Sequence, residues 1–219
     1  MDMCPYAQRT WIVLEEKGIP YSRRVINLKN KTEVDWYKEH VNPLGKVPAI
    51  RDTDGTILYE SEIINEYLQQ KFTCGPSLMP EDAAGCAKVR LWNHHLNTKL
   101  APAHFTFLMN KNQSADADKQ RALEEALQYY EDNLEGPYLA GEFSLAEASA
   151  LPFFERLTFS CRRFKDYEIP KDMTRLQKWL DKAMRHSSFQ ATKRPEDKLE
   201  EVYRMFLSVD YKFGGLNRN

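Results

Sequence analysis

The residues best suited to chemistry are Cys4 and Pro5, just ahead of an apolar run from Thr10 to Leu14. Proline fits the first position of a helix, because its fixed φ suits the helix and its missing N–H would have no partner there. Gly18 is typical of the residue that ends such a helix. Cys4 would then lie among free backbone N–H groups, where a thiol ionises more easily than its ordinary pKa of ~8.5 allows. The pattern predicts a nucleophilic thiolate, with a small buried cysteine as the structural alternative.

Ala7 limits what this thiol can do. In a Cys-x-x-Cys redox site the fourth position carries the resolving thiol, and here it carries a methyl group. Cys4 therefore cannot close a local disulfide, and a mixed disulfide on it must be resolved by a thiol from outside. Cys74, Cys86 and Cys161 are scattered without zinc-site spacing, so we expect them to be structural and expect no metal.

Composition excludes several classes of function. The 219 residues include 31 basic and 32 acidic side chains, for a net charge of −1. This balance favours neither a nucleic-acid partner nor an anionic membrane surface. No apolar run approaches the ~20 residues of a membrane span, and the N-terminus shows no leader pattern. With four cysteines in so long a chain, we expect a reducing, cytoplasmic compartment.

The first third of the chain mixes helix and strand patterns. Alternation predicts a strand over 21–26, and two aromatic residues favour a short helix over 32–40. Pro48, inside the apolar stretch 46–51, indicates either an edge strand or a cis peptide after Val47. Because only three residues precede Cys4, we expect the first strand of the sheet to be truncated, or the chain to begin inside a longer protein. An Asp-Gly hairpin then leads into a strand over 56–59 and a helix that begins at Glu60.

Beyond this region the pattern is helical. Residues 73–80 break the periodicity and predict a linker between a domain over 1–72 and an all-helical domain over 81–219. The predicted helices cover 83–107 (bent or interrupted near Pro102), 116–134, 148–158, 176–184 and 199–207. A capping box over 144–147, with Phe143 as a possible staple, precedes the third of them. The fold class is thus a small α/β domain followed by a helical bundle.

These residues resemble the cytosolic glutathione transferases, in which a thioredoxin-like domain precedes an all-helical one. The stretch Cys4-Pro5-Tyr6-Ala7-Gln8-Arg9 looks like the active-site motif of the cysteine-type classes, omega and lambda. The similarity continues through residues 26–31, 42–48, 58–68, 143–147 and 152–157. It covers nearly the whole chain, with its motifs in the right order.

The resemblance implies where glutathione would bind. Glu60 and Ser61 would hold its γ-glutamyl end, the carboxylate pairing with the ammonium and the hydroxyl meeting the ligand carboxylate. Val47, before a cis Pro48, would offer its backbone N–H and C=O to the cysteinyl part. A helix N-cap is the structural alternative for Ser61.

Three further positions follow from the same resemblance. Lys31 and Lys46 would meet the glycine carboxylate of glutathione, although surface lysines are usually only solvated. Tyr6 would lie near the reacting sulfur. In the tail after Leu207, Tyr211 and Phe213 are candidates for the outer substrate pocket.

With Cys4 in the catalytic place, the resemblance implies a monothiol thioltransferase with glutathione as co-substrate. Cys4 would attack a glutathionylated substrate or a small reducible molecule such as dehydroascorbate. One alternative is glutathione-dependent thioether cleavage, dehalogenation or conjugation of small electrophilic substrates; another is a non-enzymatic interaction module. The omega class implies a homodimer and the lambda class a monomer, so the assembly stays open.

Overall fold

In the computed structural model, which describes residues 3–209, a small α/β half of the chain precedes a helical half. This order matches the fold class that the sequence predicts. The helices are α1 (Pro5–Lys17), α2 (Lys31–His40), α3 (Ser61–Lys71), α4 (Ala83–His95), α5 (Ala101–Leu108), α6 (Asp116–Asn133), α7 (Leu145–Lys165), α8 (Thr174–Met184), α9 (Ser187–Thr192) and α10 (Glu196–Ser208). Tyr211 and Phe213 lie outside the described residues.

Helix α1 begins and ends where the sequence predicts. Pro5 is its first residue and Cys4 its N-cap. Gly18 follows the last residue with φ +62°, a left-handed conformation that glycine adopts without a Cβ penalty, and its N–H returns to the carbonyls of the last turn. Ile12 and Val13 are fully buried, so the apolar face of α1 lies in the core between the two halves of the chain.

The sheet is smaller than predicted. Strands β1 (Ala49–Arg51) and β2 (Ile57–Tyr59) pair antiparallel, with Ile50 opposite Leu58. The strand predicted over 21–26 does not form, and this prediction was wrong. A strand needs a neighbour that accepts its backbone hydrogen bonds, and none of the strands within 3–209 pairs with this stretch. Tyr21 and Val25 are therefore left 41% and 49% exposed.

The long helix predicted over 83–107 is interrupted, as expected, near Pro102. Between α4 and α5, residues Leu96–Leu100 form a π-helical turn, which we call the π segment. Such a turn holds one extra residue and loosens the helical ladder ahead of a proline that cannot donate to it. A 3₁₀ turn, Gln113–Ala115, precedes α6.

Helix α7 forms the centre of the helical half. Its N-terminus carries the predicted capping box, in which Ser144 accepts from the first turn and the Glu147 carboxylate accepts from the Ser144 backbone. The helix begins at Leu145 and continues to Lys165, seven residues beyond the predicted end. Nearly all of it is buried. Helix α9 was not predicted, because six residues are too few for a clear helical period.

The segment between α3 and α4 contains neither helix nor strand, and we propose the predicted linker over 73–80 as the division between the two domains. The buried Lys17 ammonium donates to the Pro76 carbonyl at 3.3 Å and to Gln69 Oε1 at 3.3 Å. Gln69 Oε1 also accepts from the Leu78 N–H at 2.9 Å. Side chains of α1 and α3 therefore fix the backbone of this segment.

Candidate active site around Cys4

Cys4 lies at the N-terminal end of α1, as predicted. Its Sγ lies 3.8 Å from the Val47 carbonyl oxygen, and the nearby backbone N–H groups of Ala7 and Tyr6 favour the thiolate. The prediction of a lowered thiol pKa was wrong. Burial raises the pKa of Cys4, and this effect exceeds the opposing influence of the two N–H groups and of the Arg156 and Arg9 charges.

The loop that carries Val47 is held from behind. Val47 and Pro48 are joined by a cis peptide bond, one of the two arrangements that the sequence allowed. The carbonyl of Lys46 accepts from Tyr37 Oη at 2.8 Å and from Asn42 Nδ2 at 2.7 Å. Asn42 is only 1% exposed, and its Oδ1 accepts from the Leu44 N–H. These contacts fix the backbone of Val47 beside Cys4.

Glu60 and Ser61 lie at the start of α3. Glu60 is the N-cap of this helix with φ +70°, a conformation that costs a non-glycine residue about 1–3 kcal/mol. Its side chain makes no capping bond, and the residue is exposed. Ser61 is buried and is the first helical residue, and because Glu60 occupies the N-cap position, the structural alternative for Ser61 does not hold. Strain at Glu60 together with an exposed carboxylate fits a binding role rather than a structural one.

Arg9 connects the site to the helical half, a role that the sequence did not predict. Its Nη1 donates to Ser61 Oγ at 3.4 Å and to Glu62 Oε1 at 3.5 Å. Its Nη2 donates to Asn97 Oδ1 in the π segment at 2.8 Å, and its Nε to the Ser149 carbonyl at 3.1 Å. A charged residue directly before the apolar run of α1 is unusual and could have indicated a buried role. Its partners could not be identified from the sequence, because they lie 52 to 140 residues away.

The structure places the three other predicted residues, Tyr6, Lys31 and Lys46, in different surroundings. The Tyr6 ring packs edge-on against Phe153 at 5.0 Å and lies under the Arg9 guanidinium, while the Tyr6 backbone N–H favours the Cys4 thiolate. Lys31 is the first residue of α2, and both lysines are exposed. Their roles toward a ligand stay predictions.

Metal-ligating groups do not converge anywhere in the described part of the chain: residues 3–209 hold no cluster of three or more His, Cys, Asp or Glu side chains able to bind an ion. His95 stacks on Tyr129 at 3.9 Å and its Nε2 lies 2.9 Å from the Ala126 carbonyl.

Within residues 3–209, none of the helices combines the length and the apolar character that crossing a membrane requires.

Two family models match the chain in order. The model for the glutathione S-transferase N-terminal domain matches residues 3–71, and that for the C-terminal domain matches residues 112–182. The first covers the Cys4 helix, the Val47 loop and the start of α3. The second covers α6, α7 and most of α8.

Relatives and a solved structure agree with these matches. Glutathione S-transferase L1 of Arabidopsis thaliana is 30% identical over 209 residues, covering 93% of this chain and 84% of the relative. The probable cytosolic glutathione S-transferase DHAR1 of Oryza sativa subsp. japonica is 29% identical over 199 residues, covering 90% and 86%. The crystal structure of glutathione transferase Omega 3C from Trametes versicolor aligns with a TM-score of 0.80 at 27% identity, over 94% of this chain and 88% of that one.

The expected resemblance to the cysteine-type classes is therefore confirmed, as is the thioredoxin-like domain followed by an all-helical one. The chain belongs to the glutathione S-transferase family, and its relatives are of the lambda, DHAR and omega types.

Proposed function

We propose that the protein is a glutathione-dependent thioltransferase that acts through a mixed disulfide between Cys4 and glutathione. The observation that carries the proposal is the placement of the Cys4 sulfur at the N-terminal end of α1, 3.8 Å from the Val47 carbonyl. Ala7 stands where a dithiol enzyme has its second thiol. A cysteine at a helix N-terminus is a nucleophile in its thiolate form. Relatives named DHAR, L and omega support the same chemistry.

The reaction has two exchange steps. The Cys4 thiolate attacks the glutathionyl sulfur of a substrate disulfide, so that the Cys4–glutathione bond forms and the substrate leaves as a thiolate, which takes up a proton. A second glutathione thiolate then attacks the glutathionyl sulfur on Cys4, releasing oxidised glutathione and restoring the Cys4 thiolate. With dehydroascorbate, two glutathione molecules supply the two electrons and two protons that give ascorbate and oxidised glutathione.

The start of α3 would hold the γ-glutamyl end of glutathione. The exposed Glu60 carboxylate would pair with the ammonium group, since it has no capping task. Ser61 Oγ and the free N–H groups of α3 would meet the ligand carboxylate. Arg9 fixes the Ser61 hydroxyl by donating to it, and adds a positive charge behind it.

The Val47 loop would hold the rest of the ligand. Val47 would pair with the cysteinyl backbone, because its own backbone lies beside Cys4 and is fixed through the Lys46 carbonyl. Lys31 and Lys46, exposed and without an ion pair inside the described range, would serve the glycine carboxylate. Tyr6 would contribute through its N–H at the sulfur.

Thioether cleavage or conjugation by the same thiolate is the second candidate. It uses the same glutathione site, and a substrate screen separates it from thioltransfer. A non-enzymatic interaction module is disfavoured by the retained Cys4 and Glu60-Ser61 pair. We propose the cytosol as the compartment, supported by a relative described as cytosolic, and a homodimer as the assembly, which light scattering of the purified protein tests.

The decisive experiment is intact-protein mass spectrometry after incubation with oxidised glutathione. The wild-type protein should gain a glutathione adduct that peptide mapping places on Cys4 and that excess reduced glutathione removes. Cys4→Ser should lose this adduct together with the reduction of a glutathione mixed disulfide. Cys74→Ser is the matched control, because Cys74 is exposed and lies in the linker. Full activity of Cys4→Ser would overturn the mechanism.

A further inference from the structure

We propose that Arg156, on α7, is a positioning residue for Cys4: it holds the Met3–Cys4 backbone at the start of α1 and places a positive charge behind the reacting sulfur. The helical half would then complete the reaction centre instead of only covering it. The consequence for turnover rests on the proposed thioltransferase function, whereas the effect on the sulfur itself does not.

Arg156 contacts the two ends of the first turn of α1. Its Nη2 donates to the Met3 carbonyl at 3.3 Å, the peptide directly before Cys4. Its Nη1 donates to Gln8 Oε1, and the Gln8 N–H in turn donates to the Cys4 carbonyl at 3.1 Å. The guanidinium therefore spans the helix turn that presents the sulfur, although 153 residues separate it from Met3.

Burying the charges of Arg156 and Glu155 costs free energy, so packing and stability alone do not account for this ion pair. The Arg156 side chain is 3% exposed and pairs with the Glu155 carboxylate at 2.5 Å, which is 7% exposed. Desolvating two charges commonly costs as much as the pair recovers, and apolar residues of similar volume would serve packing equally well. Arg156 Nε also finds no partner within residues 3–209. A charge retained at this cost fits a role at the sulfur better than one in packing alone.

Electrostatics support the geometry. The positive charge of Arg156 lowers the pKa of the Cys4 thiol, and so does that of Arg9, against the burial that raises it. Arg9 pairs with Glu62 as Arg156 pairs with Glu155, but of the two it is Arg156 that also donates to the Met3 carbonyl before Cys4. The titratable and charged groups around the sulfur and the guanidinium are Tyr6 and Arg9 on α1, Tyr37 on α2, Glu155 and Arg156 on α7, Arg194 before α10 and Tyr203 on α10.

The test is the pH dependence of Cys4 alkylation by iodoacetamide, followed on the Cys4 peptide by mass spectrometry. In Arg156→Met the midpoint should move upward, with alkylation at pH 7 slowed about three- to tenfold. Arg156→Lys keeps the charge and should stay within about twofold of wild type. Arg163→Met is the matched control, because Arg163 is on the same helix but half exposed, with Glu200 as its partner at 2.9 Å.

Arg156→Met leaves Glu155 buried and unpaired, and this can prevent folding. The double variant Glu155→Gln with Arg156→Met is therefore compared with Glu155→Gln alone, because these two proteins differ only at Arg156, with circular dichroism as the check on folding. An alkylation midpoint that is the same in the folded double variant as in Glu155→Gln would overturn the proposal. So would Arg156→Lys shifting the midpoint as far as Arg156→Met.

This outcome is independent of the proposed function, because alkylation requires no glutathione. A wild-type protein that forms no glutathione adduct would contradict the thioltransferase and leave the Arg156 result intact. If both hold, Arg156→Met should also slow thioltransfer at pH 7 by the factor seen in alkylation, and should recover as the pH rises above the new midpoint.

Discussion

The Cys4 sulfur lies 3.8 Å from the Val47 carbonyl oxygen, although 43 residues separate the two along the chain. A helix start and a loop meet at this contact, and each is fixed by its own set of hydrogen bonds. Gln8 and Arg156 hold the helix start, and Tyr37 and Asn42 hold the loop. The structure thus brings Cys4 next to the partly buried backbone of Val47, where we propose that glutathione binds.

Glu60→Gln should weaken glutathione binding about tenfold or more without destabilising the protein. A charge-assisted bond to an ammonium group contributes about 1.5–3 kcal/mol, and the amide loses the charge. Isothermal titration calorimetry with reduced glutathione measures the effect. Glu60→Gly provides the comparison: it should bind equally poorly and be more stable by about 1 kcal/mol, because glycine relieves the strain at φ +70°. Unchanged affinity in both variants would remove Glu60 from the site.

Asn42→Ala should impair the site from a distance. Its side chain donates to the Lys46 carbonyl and accepts from the Leu44 N–H, so the substitution removes two hydrogen bonds of a buried residue and lowers the free energy of unfolding by about 1–3 kcal/mol. Glutathione affinity should fall with it, because the Val47 backbone loses a fixed position. Asn27→Ala is the control: Asn27 makes a similar bond to the Lys29 N–H but is exposed. Equal effects of the two substitutions would contradict the argument.

Arg9→Met should lower the free energy of unfolding by about 1–3 kcal/mol, because the Ser149 carbonyl and the Asn97 side chain would lose the donor that satisfies them. Urea denaturation monitored by tryptophan fluorescence measures the change. Arg90→Met breaks an exposed pair with Glu66 at 2.9 Å and should cost less than about 1 kcal/mol. A loss below 1 kcal/mol in Arg9→Met would mean that its contacts carry little of the stability.

His104 should make the protein less stable in mild acid. It is buried against Ser160 Oγ at 2.8 Å, and burial lowers its pKa to about 3. Because the unfolded chain takes up the proton near pH 6.5 and the folded protein does not, the histidine's contribution to stability is present above pH 6.5 and is lost as the pH falls toward 3. Between pH 7 and pH 5, urea denaturation should show a loss of about 2 kcal/mol that His104→Asn lacks. Parallel pH profiles of the two proteins would contradict this.

Local rules predicted the elements that depend on nearby residues. Pro5 and Gly18 marked the ends of α1, the capping box marked the start of α7, and Pro102 marked the break that the π segment makes in the long helix. In each case the determining chemistry lies within a few residues of the feature.

Features that depend on distant partners were not predictable in this way. The stretch 21–26 has a strand pattern, but a pattern cannot supply the neighbour that a strand pairs with. The pKa of Cys4 depends on how deeply the folded chain buries it, which helix position alone does not reveal. Arg9 and Arg156 are ordinary charged residues in the sequence, and only the fold gives them partners more than 50 residues away.

Arg9 also limits how the two halves can be exchanged in protein engineering. Arg9 is a residue of α1, but its guanidinium donates to Asn97 in the π segment and to the Ser149 carbonyl, both in the helical half. A chimera that joins residues 1–72 to the helical half of a relative would keep these hydrogen bonds only if that half presents the same acceptors to the guanidinium. Asn97 and the backbone around Ser149 would have to be transplanted with it, so the modular unit for domain shuffling is larger than either domain.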